Sequence, residues 1–171
     1  MASVIRGDDN FDTAEADISE VDKWILTVNK SDASVISTNL ERAGTSIGFV
    51  SLKGTGMSQS SGIFTFPSTG FWMVSSNPTW AIAVGDNVGL HIDRTQDNNT
   101  WSSVTAATMW ASNKGSSIAS TGMSLSEIVK VSNVSLDKIR FRISSINSGT
   151  YIEGSTANEE TNFIFIRLGG L

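Results

Sequence analysis

One run of aromatic and turn residues constrains the fold of this chain more than any other feature. Residues 62–66 place Phe64 and Phe66 at alternating positions, which is the period of a strand. Pro-Ser-Thr-Gly follows at 67–70, and a second aromatic segment starts at Phe71. The run predicts two antiparallel strands joined by a tight turn, with paired rings on one face forming a core or a self-association face. It contains no catalytic group.

The composition extends this prediction to the whole chain. Charged residues make up only 17% of the 171 residues, and Ser, Thr, Asn and Gly replace the residues that favour helices. Ten short segments have strand character, separated by turn-rich stretches, and together they predict a single antiparallel jelly-roll sandwich. These segments are 23–28, 47–52, 62–66, 71–75, 79–84, 88–93, 101–111, 124–131, 138–143 and 162–168. Segment 124–131 also fits a short helical turn, because Ser124 and Glu127 match a capping box.

The first 22 residues differ from the rest. They are rich in Asp and Glu and contain only isolated apolar residues, so they cannot bury much apolar surface. We therefore predict an extended acidic arm at 1–22 and a jelly-roll domain at 23–171. The residues expected to dock the arm on a neighbouring protein are Val4, Ile5, Arg6, Asp8, Asp9 and Phe11. A cation on the arm stays an open alternative, although the calcium-loop pattern that begins at Asp8 has Thr13 and Ser19 at its required glycine and glutamate positions.

Charge and apolar patterning exclude several classes of partner. The net charge of −5 and the scattered basic residues argue against nucleic acid, which needs clustered Lys and Arg. Lys138, Arg140 and Arg142 are the nearest to a cluster, and their alternation predicts one solvated sheet face. No apolar run approaches the roughly 18 residues of a membrane span, so no membrane insertion is expected. Cysteine is absent, and no cofactor motif stands out.

The catalytic motifs are weak. Gly44 to Gly48 matches the nucleophile-elbow pattern around Ser46, but strand-like residues follow where a helix is required. The single histidine, His91, alternates with apolar residues and is predicted to be an ordinary strand histidine. Acidic residues could in principle meet as a glycosidase pair, though most lie in turn-like contexts: Asp86, Asp93, Asp97, Glu127, Glu159 and Glu160. We predict that the chain is not an enzyme.

Five tryptophans are many for a chain with one tyrosine. Trp72 and Trp80 lie in predicted strands and are expected to be buried. Trp101 follows a polar loop and is the better candidate for an exposed or interfacial ring, and Trp110 is the second candidate for contact with a ligand or receptor. A core role remains the leading expectation for tryptophans in general.

Several blocks resemble known families. Residues 1–12, 56–70, 137–142 and 161–169 resemble small structural proteins of marine bacteriophages. The Gly-x-Phe-x-Phe strand and the aromatic last strand are similar to the jelly roll of tumour-necrosis-factor-like and complement globular-head proteins. That resemblance implies a homotrimer whose interface includes Phe64, Phe66, Phe163 and Phe165, with the last strand beside the first. A Gly-Asp-x-Val run occurs here at 85–88, near the middle, whereas it comes late in the complement-type proteins.

The resemblance implies a virion protein: a homotrimeric fibre or tail-associated adhesin, fixed to other virion proteins by the arm and contacting a host surface glycan or protein. A capsid decoration protein that clamps capsid subunits is the first alternative. The second is a free carbohydrate-binding module that binds sugar through Trp101 or Trp110 as a monomer.

Overall fold

The computed structural model describes residues 18–44, 51–83, 85–110 and 119–171, and its regular structure in these ranges consists of β-strands. The strands are β1 (Val21–Leu26), β2 (Leu40–Arg42), β3 (Leu52–Lys53), β4 (Ser58–Ser60), β5 (Ile63–Thr65), β6 (Gly70–Asn77), β7 (Thr79–Ile82), β8 (Asn87–Thr95), β9 (Ser102–Trp110), β10 (Ala119–Gly122), β11 (Leu125–Val131), β12 (Lys138–Ser145), β13 (Tyr151–Ile152) and β14 (Asn162–Gly169).

Two larger antiparallel sheets and one small sheet make up the fold. Sheet I has the order β11-β6-β14-β1-β2, with β3 also pairing with β1. Sheet II has the order β4-β5-β12-β8-β9, and β10-β7-β13 form the small sheet. The predicted all-β jelly roll is confirmed, and the last strand β14 pairs with the first strand β1 as the resemblance implied.

Most predicted strands appear with bounds shifted by one or two residues. The segment 124–131 is a strand, because Leu125–Val131 pairs with β6 along its whole length, and the helical alternative is therefore wrong. The predicted strand at 47–52 lies mostly outside the described residues. Four short strands were missed: β2, β4, β10 and β13.

The chain crosses between sheets where the sequence predicted a hairpin. Strand β5 pairs with β4 and β12 in sheet II, whereas β6 pairs with β11 and β14 in sheet I. The turn at 67–70 therefore connects the two layers and does not join neighbouring strands. Phe66 and Trp72, on either side of this turn, have ring centroids 5.3 Å apart. The aromatic pairing is real, but it bridges the two layers of the sandwich.

Aromatic rings fill the space between sheets I and II. Phe64 of β5 lies 4.9 Å from Phe165 of β14, and Phe141 of β12 lies 4.4 Å from Phe163, centroid to centroid. Trp24 meets the edge of Phe64 at 5.5 Å. Tilted and edge-on contacts of this kind add to the burial energy of large rings. Alternation on each strand sends these rings inward, so the core is a direct consequence of the period-2 pattern.

Strand β1 begins at Val21, two residues before the predicted start, and brings an acidic residue into the interior. The Asp22 carboxylate is completely buried and accepts hydrogen bonds from Arg42 Nε at 2.8 Å, Met57 N at 2.7 Å and Trp24 Nε1 at 2.9 Å. A buried carboxylate needs such partners to offset its lost hydration. Asp22 is therefore part of the jelly roll, although the acidic pattern had assigned it to the arm.

Candidate interaction surfaces

The four rings predicted to line a trimer interface lie in the core of a single chain. Phe64, Phe163 and Phe165 are 0% exposed and Phe66 is 2% exposed. A side chain without exposed surface in one chain has none to bury against another subunit. The structure therefore assigns these rings to folding, and an interface between subunits has to use other residues.

The outer face of sheet I carries a row of apolar side chains that the sequence reading missed. Ile128 of β11 lies opposite Met73 of β6, Met73 lies opposite Ile166 of β14, and Ile166 lies opposite Val21 of β1. We call these four residues the apolar row. Ile128 is 61% exposed, and the other three are half-buried by their neighbours in the sheet. Cross-strand partners lie about 5 Å apart, so the row is continuous across four strands.

Further apolar side chains extend the row, and polar groups surround it. Phe71 and Leu168 are exposed near one end of strands β6 and β14. On the other side, Ser126 lies opposite Ser75, which lies opposite Ile164. The outer face of a sandwich sheet is ordinarily polar, because only the inner face packs on the core. Contiguous exposed apolar surface rimmed by polar residues is typical of protein interaction sites.

The outer face of sheet II has a different character and carries a charged cluster. Asp93 of β8 is 2% exposed and accepts hydrogen bonds from two residues of β12. Arg142 reaches both carboxylate oxygens, at 2.7 and 3.1 Å, and Arg140 Nε reaches one of them at 3.3 Å. The bonds to Asp93 raise the pKa of Arg142. The predicted solvated face formed by Lys138, Arg140 and Arg142 is thus partly an ion-paired network.

Trp101, the sequence-based candidate for an exposed or interfacial ring, contacts an arginine of β12. Its ring is half-buried, and the Arg140 guanidinium lies over it at 4.3 Å from the centroid. Such a cation–π contact fixes the plane of the guanidinium. Trp110 is the exposed one of the pair, at 65%. The prediction that Trp72 and Trp80 are buried is confirmed, since both are 0% exposed.

His91 lies in the same strand as Asp93 and contacts a hydroxyl. Its Nδ1 lies 2.8 Å from Ser103 Oγ on β9. Burial lowers the pKa of His91, and the positive charge of Arg142 lowers it further against the opposing effect of Asp93. Because the arginines occupy the Asp93 carboxylate, no Ser-His-Asp relay forms here.

Three of the remaining acidic candidates, Asp86, Asp97 and Glu159, make structural contacts. Burial alone would raise the pKa of Asp86, but hydrogen bonds from Thr150 and Asn147 outweigh it and lower the pKa. The backbone amides of Thr100 and Asn99 hold the pKa of Asp97 far below its ordinary range. Glu159 pairs with Lys23 on the outer side of β1. These contacts cap turns and link neighbouring segments of the chain.

Some predicted features cannot be placed. Two sets of predicted residues lie outside the described ranges: the docking residues Val4, Ile5, Arg6, Asp8, Asp9 and Phe11, and the candidate nucleophile Ser46.

In the ranges that are described, no three His, Asp or Glu side chains are grouped so that they could hold a metal ion. None of the described segments is a helix long and apolar enough to span a membrane.

The strand order and the two-layer packing define a tumour-necrosis-factor-like jelly roll. Comparison with solved structures finds murine APRIL at pH 5.0, with a TM-score of 0.63 and 13% identity over 86% of this chain and 98% of that one. The Eiger TNF of S. frugiperda matches with a TM-score of 0.64 and 11% identity over 88% of this chain and 93% of the other. The sequence itself matches no family model and no curated protein. Identities this low show a shared fold, and the bacteriophage resemblance remains a prediction.

Proposed function

We propose that this chain is a non-enzymatic structural protein that works as a homotrimer, and that it associates through the outer face of sheet I. The apolar row carries this proposal. Ile128, Met73, Ile166 and Val21 form a continuous apolar surface where a sandwich sheet is normally polar.

The occupant of this surface is a second copy of the same chain. Apolar side chains at the centre, with Ser75, Ser126 and Lys130 around them, have the arrangement of an interface core and its polar rim. Closed rings form when a patch on each subunit, here the apolar row, meets a different patch on its neighbour in a head-to-tail arrangement. The tumour-necrosis-factor-like jelly roll, which the sequence resemblance associates with three-fold assembly, supports a ring of three.

The trimer belongs to a virion in this proposal, displayed as a short fibre or tail-associated adhesin. Support comes from the sequence blocks that resemble bacteriophage structural proteins, at 1–12 and 161–169. The acidic arm would attach the trimer to other virion proteins, while the jelly roll faces outward toward the host surface. Such a protein needs no catalytic group.

Counting the chain in purified particles tests the location. Quantitative mass spectrometry should find it in tens of copies per particle if it forms a fibre. Hundreds of copies would indicate capsid decoration, and a chain absent from purified particles would contradict any virion role. The assembly itself is tested separately, by the mass and interface-variant measurements set out in the Discussion.

A further inference from the structure

Sheet II presents a positively charged, hydroxyl-rich surface on a different sheet from the apolar row. Lys138, Arg140 and Arg142 follow one another on the outer face of β12, and the two arginines pair with Asp93 of β8. This local excess of positive charge occurs in a chain whose net charge is −5. Concentrated charge of one sign attracts ligands of the opposite sign.

A shallow depression of about 390 Å³ lies beside these cations. Lys138 lines it, and its cross-strand partner Thr65 lines it too. Ile63, the cross-strand partner of Arg140, forms another part of the wall, so Arg140 neighbours the depression without lining it. The remaining walls carry hydroxyl and amide groups from Ser58, Gln59, Ser60 and Ser61. Its volume is in the range of small-molecule sites, and a wall of hydroxyl groups suits a ligand that is itself rich in hydroxyls.

Arg140 is fixed in place and keeps donors available. Its guanidinium lies over the Trp101 ring, and its Nε donates a hydrogen bond to Asp93 Oδ2 at 3.3 Å. Within the described part of the chain, its two terminal nitrogens have no hydrogen-bond partner. A guanidinium held in one plane loses little freedom when it binds, and its paired N–H groups match the geometry of a carboxylate.

We propose that this face of sheet II binds an acidic saccharide. Arg140 and Lys138 receive the sugar carboxylate, and the serine and threonine hydroxyls of the depression bind the sugar hydroxyls. Trp101 acts as a positioning residue that holds Arg140, so it does not serve as a stacking platform for the sugar. The inference gives the proposed adhesin a ligand class. It does not require the trimer, because the two surfaces lie on different sheets.

Calorimetric titration of the full-length chain tests this site with two carboxylated probes, 3′-sialyllactose and trigalacturonate, and with neutral lactose. At least one acidic probe should bind, at least about tenfold more tightly than lactose, and its binding should weaken as salt is raised from about 0.05 to 0.5 M. Lys138→Ala and Arg140→Gln should each reduce that binding by about tenfold or more. The control is Lys53→Gln, which removes an exposed charge on sheet I and should change nothing.

Three results would overturn the proposal: no binding of either acidic probe, equal binding of lactose, or equal losses in the Lys138 and Lys53 variants. Lys138 lies on the outer face and supports no core contact, so its variant keeps the test valid if Arg140→Gln disturbs Asp93. Measuring the mass of every variant in solution by light scattering shows whether it still assembles, which separates failure of the saccharide site from failure of the trimer.

Discussion

Arg42 donates hydrogen bonds to both carboxylate oxygens of Asp22, from Nε to Oδ1 at 2.8 Å and from Nη2 to Oδ2 at 3.0 Å. Asp22 is fully buried in β1, while the Arg42 side chain is 35% exposed. The pair links β1 to β2, and the hydrogen bond from Met57 N to Asp22 links the segment before β4 to β1. This one carboxylate therefore anchors three parts of the chain.

Replacing Asp22 with Asn should lower the free energy of unfolding by about 3 kcal/mol, because it breaks a buried, multiply bonded ion pair. Urea unfolding followed by tryptophan fluorescence measures the loss. The matched control is Asp32→Asn, whose side chain is 65% exposed and pairs with Lys30. That change should cost less than about 1 kcal/mol. Equal losses of unfolding free energy in the two variants would contradict the anchoring role of Asp22.

Replacing Ile128 with Asp should dissociate the proposed trimer while each subunit stays folded. Ile128 is exposed in one chain, so the charge costs little in the monomer, but it would be desolvated in the interface. Sedimentation velocity should show a single-chain species, with an unchanged circular dichroism spectrum. Val104→Asp on β9 of sheet II is the control, since Val104 is also exposed but lies away from the row. A trimeric Ile128→Asp protein would remove the apolar row from the interface.

Replacing Phe64 with Ala should destabilise the fold itself. Its ring contacts Trp24, Phe141 and Phe165, and it has no exposed surface. Truncation of a ring in such a site costs about 3–5 kcal/mol, because it leaves a cavity. Thermal unfolding of a chain already made monomeric by Ile128→Asp would isolate this effect from assembly. An unchanged melting temperature in that background would contradict the placement of Phe64 in the core.

Gly62 should tolerate no side chain. It has φ +78°, and a Cβ there would lie 2.1 Å from the carbonyl oxygen of Ile36. Both the strained backbone and the clash with main-chain atoms predict that Gly62→Ala lowers stability by more than about 1 kcal/mol. Gly169→Ala is the control, because nothing lies within 4 Å of its added Cβ. Urea midpoints that shift equally would show that the approach of Ile36 is not a constraint.

His91 should make the fold less stable in mild acid. Its pKa is lowered in the folded chain, so the unfolded chain binds more protons between the folded pKa and about 6.5. Stability from this group is complete above pH 6.5 and declines as the pH falls through that window. His91→Gln should flatten the decline in stability below about pH 6.5 in urea titrations. The pKa values of Asp86 and Asp32 are also lowered, so their protonation destabilises the fold only at lower pH than that of His91. That second loss of stability should be unchanged in His91→Gln and serves as an internal reference.

The period-2 patterns were enough to predict the fold class and most of the longer strands. They failed for short polar strands such as β4, whose Ser-Gln-Ser sequence forms a strand through its pairing with β5 and has no apolar alternation. They also could not say which sheet a strand joins. Phe64 and Trp72 both face the core, but they do so from opposite layers.

The surfaces were less predictable than the core. Alternation shows which residues of each strand lie on the same face as Phe64 or Phe163. It does not show whether that face packs against another sheet or against another subunit. The apolar row joins residues from four strands that are distant in sequence, so it appears only once the register is known. Asp22 was assigned to the arm because charge counts do not show that Arg42, twenty residues later, would reach it.

Light scattering of the purified full-length chain measures directly whether it forms a trimer. We expect a mass of three times 18.2 kDa. We also expect the trimer to be kept after residues 1–17 are deleted, a cut that spares Asp22 and β1. A trimer that survives the deletion would assign self-association to the jelly roll and leave the arm for docking. A full-length chain that stays at 18.2 kDa across the accessible concentration range would contradict the trimer.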